Sequence, residues 1–187
     1  MSTLPLRRGL VTIGSGILYL PLFIYFHDHV YQIMPVTGPS MSPFLNSEFD
    51  SSLQRDYLLV SMRPASTTLP ALKRGSVVAF WSPRNPERMA VKRIIALPGD
   101  EVSETRHPYP FRKELVPQGC VWVEGDSPDP RKSLDSNTYG PVPVSLITGV
   151  VKASIWPRPC WVDWRDWKGS ERVKMGVKAW EGGIFSR

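Results

Sequence analysis

Cysteine, histidine and alanine are sparse where they would matter most in this chain, and each shortage excludes something. Two cysteines, Cys120 and Cys160, cannot build a disulfide framework, and without a Cys-x-x-Cys pattern they offer no zinc site. Whether they form a single bridge stays open at this stage. His27, His29 and His107 have no neighbouring pattern of carboxylates or cysteines of the kind that holds a metal, and no His/Asp pair is evident to activate a nucleophile. No alanine occurs before Ala65, so the N-terminus lacks the small-residue site at which a signal peptide is cut away. Between Arg8 and Arg55 there is no Lys or Arg, and elsewhere the basic residues are scattered. The net charge of +6 is therefore dispersed, which argues against a nucleic-acid groove. There is no internal repeat.

What is present begins with an apolar run. From Leu10 to Phe26 no residue is charged, and as a helix the stretch reaches about 25 Å, close to the lower limit for a membrane span. Tyr19, Tyr25 and Tyr31 are residues that favour the membrane interface, and Pro21 is tolerable inside a span. With Arg7 and Arg8 before the run and no cation soon after it, the positive-inside bias keeps the N-terminus inside and sends the remainder across the bilayer. The expected organisation is a short N-terminal segment (1–9), a transmembrane anchor (10–30), one folded domain (36–156) and a Trp-rich basic tail (157–187). For that tail two readings stand side by side: a surface for membrane or partner, or aromatics that pack back onto the domain.

Hydrophobic residues make up 42% of the chain, enough for a core, while 19 prolines and 14 glycines disfavour an all-helical fold. Short β-branched and aromatic runs at 56–62, 76–81, 89–96 and 120–124, with one or two more strands in 142–156, predict a mainly β domain, a folded or barrel-like sheet. Leu97-Pro98-Gly99-Asp100 has the chemistry of a type II turn, Gly supplying the positive φ. On a strand over 89–96, Ala90, Lys92 and Ile94 share one face and Val91, Arg93 and Ile95 the other. Lys92 then points into an apolar surface and Arg93 away from it.

Four blocks carry a resemblance to the type I signal peptidases. They are Ser40-Met41-Ser42-Pro43; Arg74-Gly75-Ser76-Val77-Val78; Lys92-Arg93 running to Leu97-Pro98-Gly99-Asp100; and Gly125-Asp126 followed by Ser133-Leu134-Asp135-Ser136-Asn137 and Tyr139-Gly140-Pro141. The resemblance implies a serine–lysine dyad, with Ser40 as nucleophile and Lys92 as general base. It implies that Ser133 orients the lysine by a hydrogen bond and that Asp135 is a structural carboxylate beside it. The chemistry is coherent, because a lysine buried among apolar groups loses the preference for its charged form.

Two departures from the bacterial pattern are visible. Asn137 stands where bacterial enzymes carry Arg, a feature shared with the mitochondrial inner-membrane branch of the family. Gly38 stands where many bacterial enzymes place a serine that helps hold the oxyanion, which leaves the second oxyanion donor open. The resemblance implies an endopeptidase that removes sorting peptides from precursors reaching the mitochondrial intermembrane space. It would be anchored in the inner membrane, would need no cofactor or metal, and would work beside a second, related catalytic subunit. The alternatives are a general bacterial-type or organellar signal peptidase and, from another class, a tethered β binding domain without activity.

Overall fold

Four consecutive apolar residues, Val77-Val78-Ala79-Phe80, suit a strand covered on both faces. The computed structural model of the chain puts them in the interior of its main sheet. The structure describes residues 29–49, 54–63, 67–103 and 105–176, together with Tyr19, Pro21, Ile24 and Tyr25. The anchor expected over 10–30 falls largely outside these residues. Among the described residues no helix is long and apolar enough to cross a membrane.

In chain order the strands are β1 (Tyr31–Pro35), β2 (Tyr57–Ser61), β3 (Val77–Ser82), β4 (Asn85–Ala96), β5 (Glu101–Ser103), β6 (Lys113–Leu115), β7 (Cys120–Glu124), β8 (Val142–Pro143), β9 (Ile147–Trp156), β10 (Cys160–Trp161) and β11 (Val173–Lys174). A one-turn helix, α1 (Ser136–Tyr139), lies between β7 and β8. The larger, eight-stranded sheet has the order β1-β2-β9-β3-β4-β7-β8, with β10 paired to β9. A three-stranded sheet has the order β11-β5-β6. The ladders are antiparallel, so the chain is mainly β, as its composition indicates.

The period-two alternation of β3 divides its side chains between two cores. Val78 and Phe80 join Ile94, Val121 and Val123 on one side. Val77 and Ala79 join Val60, Val151, Met41 and Leu45 on the other. A third cluster, built on Trp122 with Ala96, Val102 and Val116, locks the small sheet to the large one. The indole Nε1 of Trp122 donates to Glu124 at 2.9 Å, so the buried donor is satisfied.

The turn at 97–100 forms as its residues indicate: Asp100 N–H donates to Leu97 at 3.0 Å, and Gly99 has φ +84°. β4 starts earlier than its apolar run, at Asn85, and carries Pro86 through an irregular stretch of the β3–β4 pairing that places few demands on the ladder. The sheet itself starts at Tyr31, before the expected domain start at 36. β5, β6, β10 and β11 are two or three residues long, too short to show a period.

Most of the described C-terminal stretch returns to the domain. β10 pairs with β9, β11 pairs with β5, Trp167 packs against the third cluster, and Arg172 Nη2 meets Glu124 Oε2 at 2.6 Å. Trp161, at 78% exposure, does not pack back. Trp180 lies outside the described residues. Cys120 and Cys160 are both free thiols.

Candidate active site

Ser40 sits on a turn that is held from behind at several points. After β1, Val36 N–H donates to Asp56 O at 2.8 Å, and Gly38 takes φ +93°, a left-handed conformation that suits glycine. Ser42 N–H then closes a turn onto Pro39 O at 3.0 Å, with Ser40 at its tip. Met41 and Leu45 are fully buried in the second core and pin the chain just beyond the serine. The Ser40 carbonyl accepts the Ser127 N–H at 3.1 Å.

Asn46, which sequence reasoning missed, ties this turn together. Its Nδ2 donates to Val36 O at 2.8 Å and to Gly38 O at 3.1 Å. Its Oδ1 accepts Asp56 N–H at 2.7 Å, while its own N–H donates to Asp56 Oδ2 at 2.8 Å. It is buried and has φ 54°, a left-handed conformation for which Asn is among the favoured residues. That pairing of a single Asn with an Asp ten residues on has no local sequence signal.

Lys92 arrives from β4. Its residue pairs with Val78 of β3, on the face that also carries Ala90 and Ile94, and it is 4% exposed. Lys92 Nζ lies 2.6 Å from Ser40 Oγ and 3.1 Å from Val91 O. Burial pushes the amine down from 10.5 to about 8, against the opposing pull of the Asp135 and Asp126 carboxylates. The sequence separates these two side chains by fifty-two positions, and the fold brings them into direct contact.

Ser133 and Asp135 lie together, close enough for the Asp135 charge to act on the lysine. The Ser133 hydroxyl donates to Asp135 Oδ2 at 2.6 Å, so it is bound to the carboxylate, while Lys92 Nζ donates to Ser40 Oγ and Val91 O. Asp135 caps α1 through Asn137 N–H at 3.0 Å and also accepts Gly125 N–H at 3.0 Å. Asn137 adds its own Nδ2 to Asp135 Oδ1 at 3.1 Å and accepts Arg106 N–H at 2.8 Å. His107 lines a narrow crevice behind Ser133 and Asp135.

Gly125, present with Asp126 in the fourth block, has a steric role that the sequence did not reveal. A Cβ there would stand 2.4 Å from Ser40 O and 2.3 Å from Ser133 Oγ, so only glycine lets this strand end approach the serine turn.

Arg93 corrects the sequence reading in one respect. It does take the opposite face from Lys92, but that face is not solvent: Arg93 is 5% exposed. It forms a two-pronged ion pair with Asp126 at 2.9 and 2.6 Å, donates to Gly75 O at 2.9 Å, and stacks over Phe44 at 4.6 Å. A second core covers that face of the sheet, which the alternation alone does not reveal. Through Asp126, Arg93 braces the 125–127 segment whose Ser127 N–H holds Ser40.

Ser40 and Lys92 line a cleft of about 550 Å³. One wall is the chain from Met34 to Ser40, and the other is β4 from Asn85 to Lys92. Among the described residues β1 is paired only to β2, and β7 covers β4 only from Arg93 onward. Both walls therefore offer open strand edges to an extended chain.

A family model described as signal peptidase, peptidase S26, matches residues 10–107. The chain is 33% identical over 156 residues to the mitochondrial inner membrane protease subunit 2 of Saccharomyces cerevisiae, covering 83% of each chain. It is 39% identical over 140 residues to the subunit 2 of Schizosaccharomyces pombe, covering 75% of this chain and 73% of the relative. It is also 33% identical over 156 residues to the subunit 1 of Schizosaccharomyces pombe, covering 82% and 92%.

Proposed function

This chain belongs to the signal peptidase family S26, and from that premise we propose that Ser40 is its nucleophile and Lys92 its general base. It is a serine-type peptidase that removes signal peptides from precursor proteins, and its relatives are mitochondrial inner membrane proteases. The observation that carries the assignment of residues is the 2.6 Å contact between Lys92 Nζ and Ser40 Oγ, inside a cleft and with the lysine buried.

The reaction then runs as follows. With its amine neutral, Lys92 accepts the hydroxyl proton as Ser40 Oγ attacks the scissile carbonyl. Lys92 returns that proton to the departing amine, which leaves an ester on Ser40. A water gives its proton to Lys92 and attacks the ester, and the proton passes back to Ser40 Oγ as the acid leaves. The Ser40 N–H donates to no acceptor among the described residues and is available for the oxyanion, an interaction of the kind that contributes about 3–4 kcal/mol. Asp135 keeps Ser133 and Gly125 in place beside the lysine, so both are positioning residues here.

The finer reading places the chain in the inner membrane as a single-span protein with its catalytic domain in the intermembrane space. It acts there on precursors delivered to that compartment. That both subunit 1 and subunit 2 relatives match supports a second, related catalytic subunit as its partner. The test is processing of a sorting-peptide precursor by the wild type and by Ser40→Ala. The wild type cuts and the variant, still folded and membrane-bound, does not; substantial turnover by Ser40→Ala contradicts the assignment.

A further inference from the structure

Arg84 and Arg88 put two positive charges on the wall of the cleft, and nothing acidic among the described residues meets them. Both line the cleft and are exposed, and neither has a hydrogen-bond or ion-pair partner among the described residues. Lys132 adds a third cation to the same lining, which among the described residues contains no Asp or Glu. Glu87 lies between the two arginines in sequence but does not line the cleft. By contrast, Arg74, Arg93 and Arg172 are each held by a buried or half-buried carboxylate.

We propose that this arm of the cleft selects an acidic side chain in the substrate, about four residues from the bond that is cut. The proposal rests on the reading of the cleft as the peptide-binding site. Arg88, Ala90 and Lys92 share a face of β4, and four residues of strand at about 3.3 Å each separate Arg88 from the base by about 13 Å. A substrate drawn out between the two open strand edges has the same rise, so its residue opposite Arg88 is about four positions from the scissile carbonyl. Ala90, in between, is small and leaves the path along the wall clear. A guanidinium pair favours a carboxylate by charge and by its two-pronged hydrogen-bonding geometry. Because both walls lead to Ser40 from the same end of the cleft, the preference falls on one side of the cut only.

The test uses the full-length protein in a membrane mimic and peptides of one cleavable sequence. Asp, Asn or Lys is placed singly at each of six positions on either side of the bond. Asp should exceed Lys in kcat/KM by about tenfold at a position near the fourth, on one side, and the gap should shrink as salt is added. The double variant Arg84→Glu/Arg88→Glu should invert the order. Equal rates for Asp and Lys at every position, or an order that the double variant leaves as it was, overturns the proposal while cleavage itself stands. If the wild type cuts none of the peptides, the peptidase reading of the cleft fails separately. The charge preference is then read from binding of the same peptides to the protein, and its absence there overturns the proposal too.

Discussion

A lysine is a base only when neutral, and Lys92 is held near that condition by burial more than by any neighbour. With its amine at about 8, roughly one molecule in ten carries it neutral at pH 7. Turnover should therefore climb about tenfold per pH unit below 8 and flatten above it. The sign for stability runs the same way: the unfolded chain holds the proton up to about 10.5 and the folded one only up to about 8, so stability rises with pH across that window. Lys92→Met should abolish turnover and remove this slope from denaturant titrations run between pH 8 and 10.5. A slope that persists would place the titrating group elsewhere. Asp135 pulls the other way, its charge favouring the ammonium. Asp135→Asn should thus move the rising limb of the pH–rate profile to lower pH, even as loss of its bonds to Ser133 and Gly125 lowers the plateau. A limb that moves to higher pH would contradict the electrostatic account. Because Ser40 and Lys92 act as a unit, the double alanine variant should be little worse than either single one, each losing at least about a thousandfold.

At the scale of elements, the serine turn depends on backbone approaches between segments far apart in sequence. Asn46→Ala removes a buried side chain that makes three hydrogen bonds, and should destabilise by about 2–3 kcal/mol in denaturant titrations and lower kcat more than it raises KM. Asn46→Asp keeps the acceptor but loses the two donors to Val36 and Gly38, so it should rescue little. Arg93→Ala leaves the Asp126 carboxylate and the Gly75 carbonyl without their partner, a loss of about 3 kcal/mol measured the same way. Arg93→Lys cannot restore the two-pronged pair. Loss of under about 0.5 kcal/mol in Arg93→Ala would mean the brace is not structural. Gly125→Ala should cut turnover sharply, because its Cβ would displace Ser40 O. These supports explain what the sequence could and could not disclose. The turn at 97–100 was legible because its residue types carry conformation locally, and the meeting of Ser40 with Lys92 was expected only through the family blocks that contain them. Asn46, the close approach that requires Gly125 and the burial of Arg93 were not legible, since each derives its role from what a segment distant in sequence brings near.

For the whole molecule, apolar alternation was enough to indicate a mainly β domain with β2, β3, β7 and most of β4. The order β1-β2-β9-β3-β4-β7-β8 was not readable, because antiparallel partners distant in the chain are chosen by which faces two separate cores must cover. The same holds for the C-terminal stretch, where Trp167 is partly buried against the third cluster and Trp161 is exposed although both sit among charges in sequence. The anchor proposed over 10–30 and its orientation are open to direct test. Alkaline carbonate should leave the protein in the membrane pellet, and protease added to mitochondria with ruptured outer membranes should digest the domain beyond residue 35. Protection until the inner membrane is also opened would reverse the orientation drawn from Arg7 and Arg8.

The central claim, that Ser40 is acylated with Lys92 as its base, is tested most directly by the pH dependence of covalent labelling. The protein is treated with an acylating serine probe across pH 5–10, and the modified residue is located by peptide mass spectrometry. The account predicts one label, on Ser40, with a rate that rises through a midpoint near 8 and disappears in Lys92→Ala. Labelling of another serine, a midpoint below about 6, or full labelling in Lys92→Ala would contradict it.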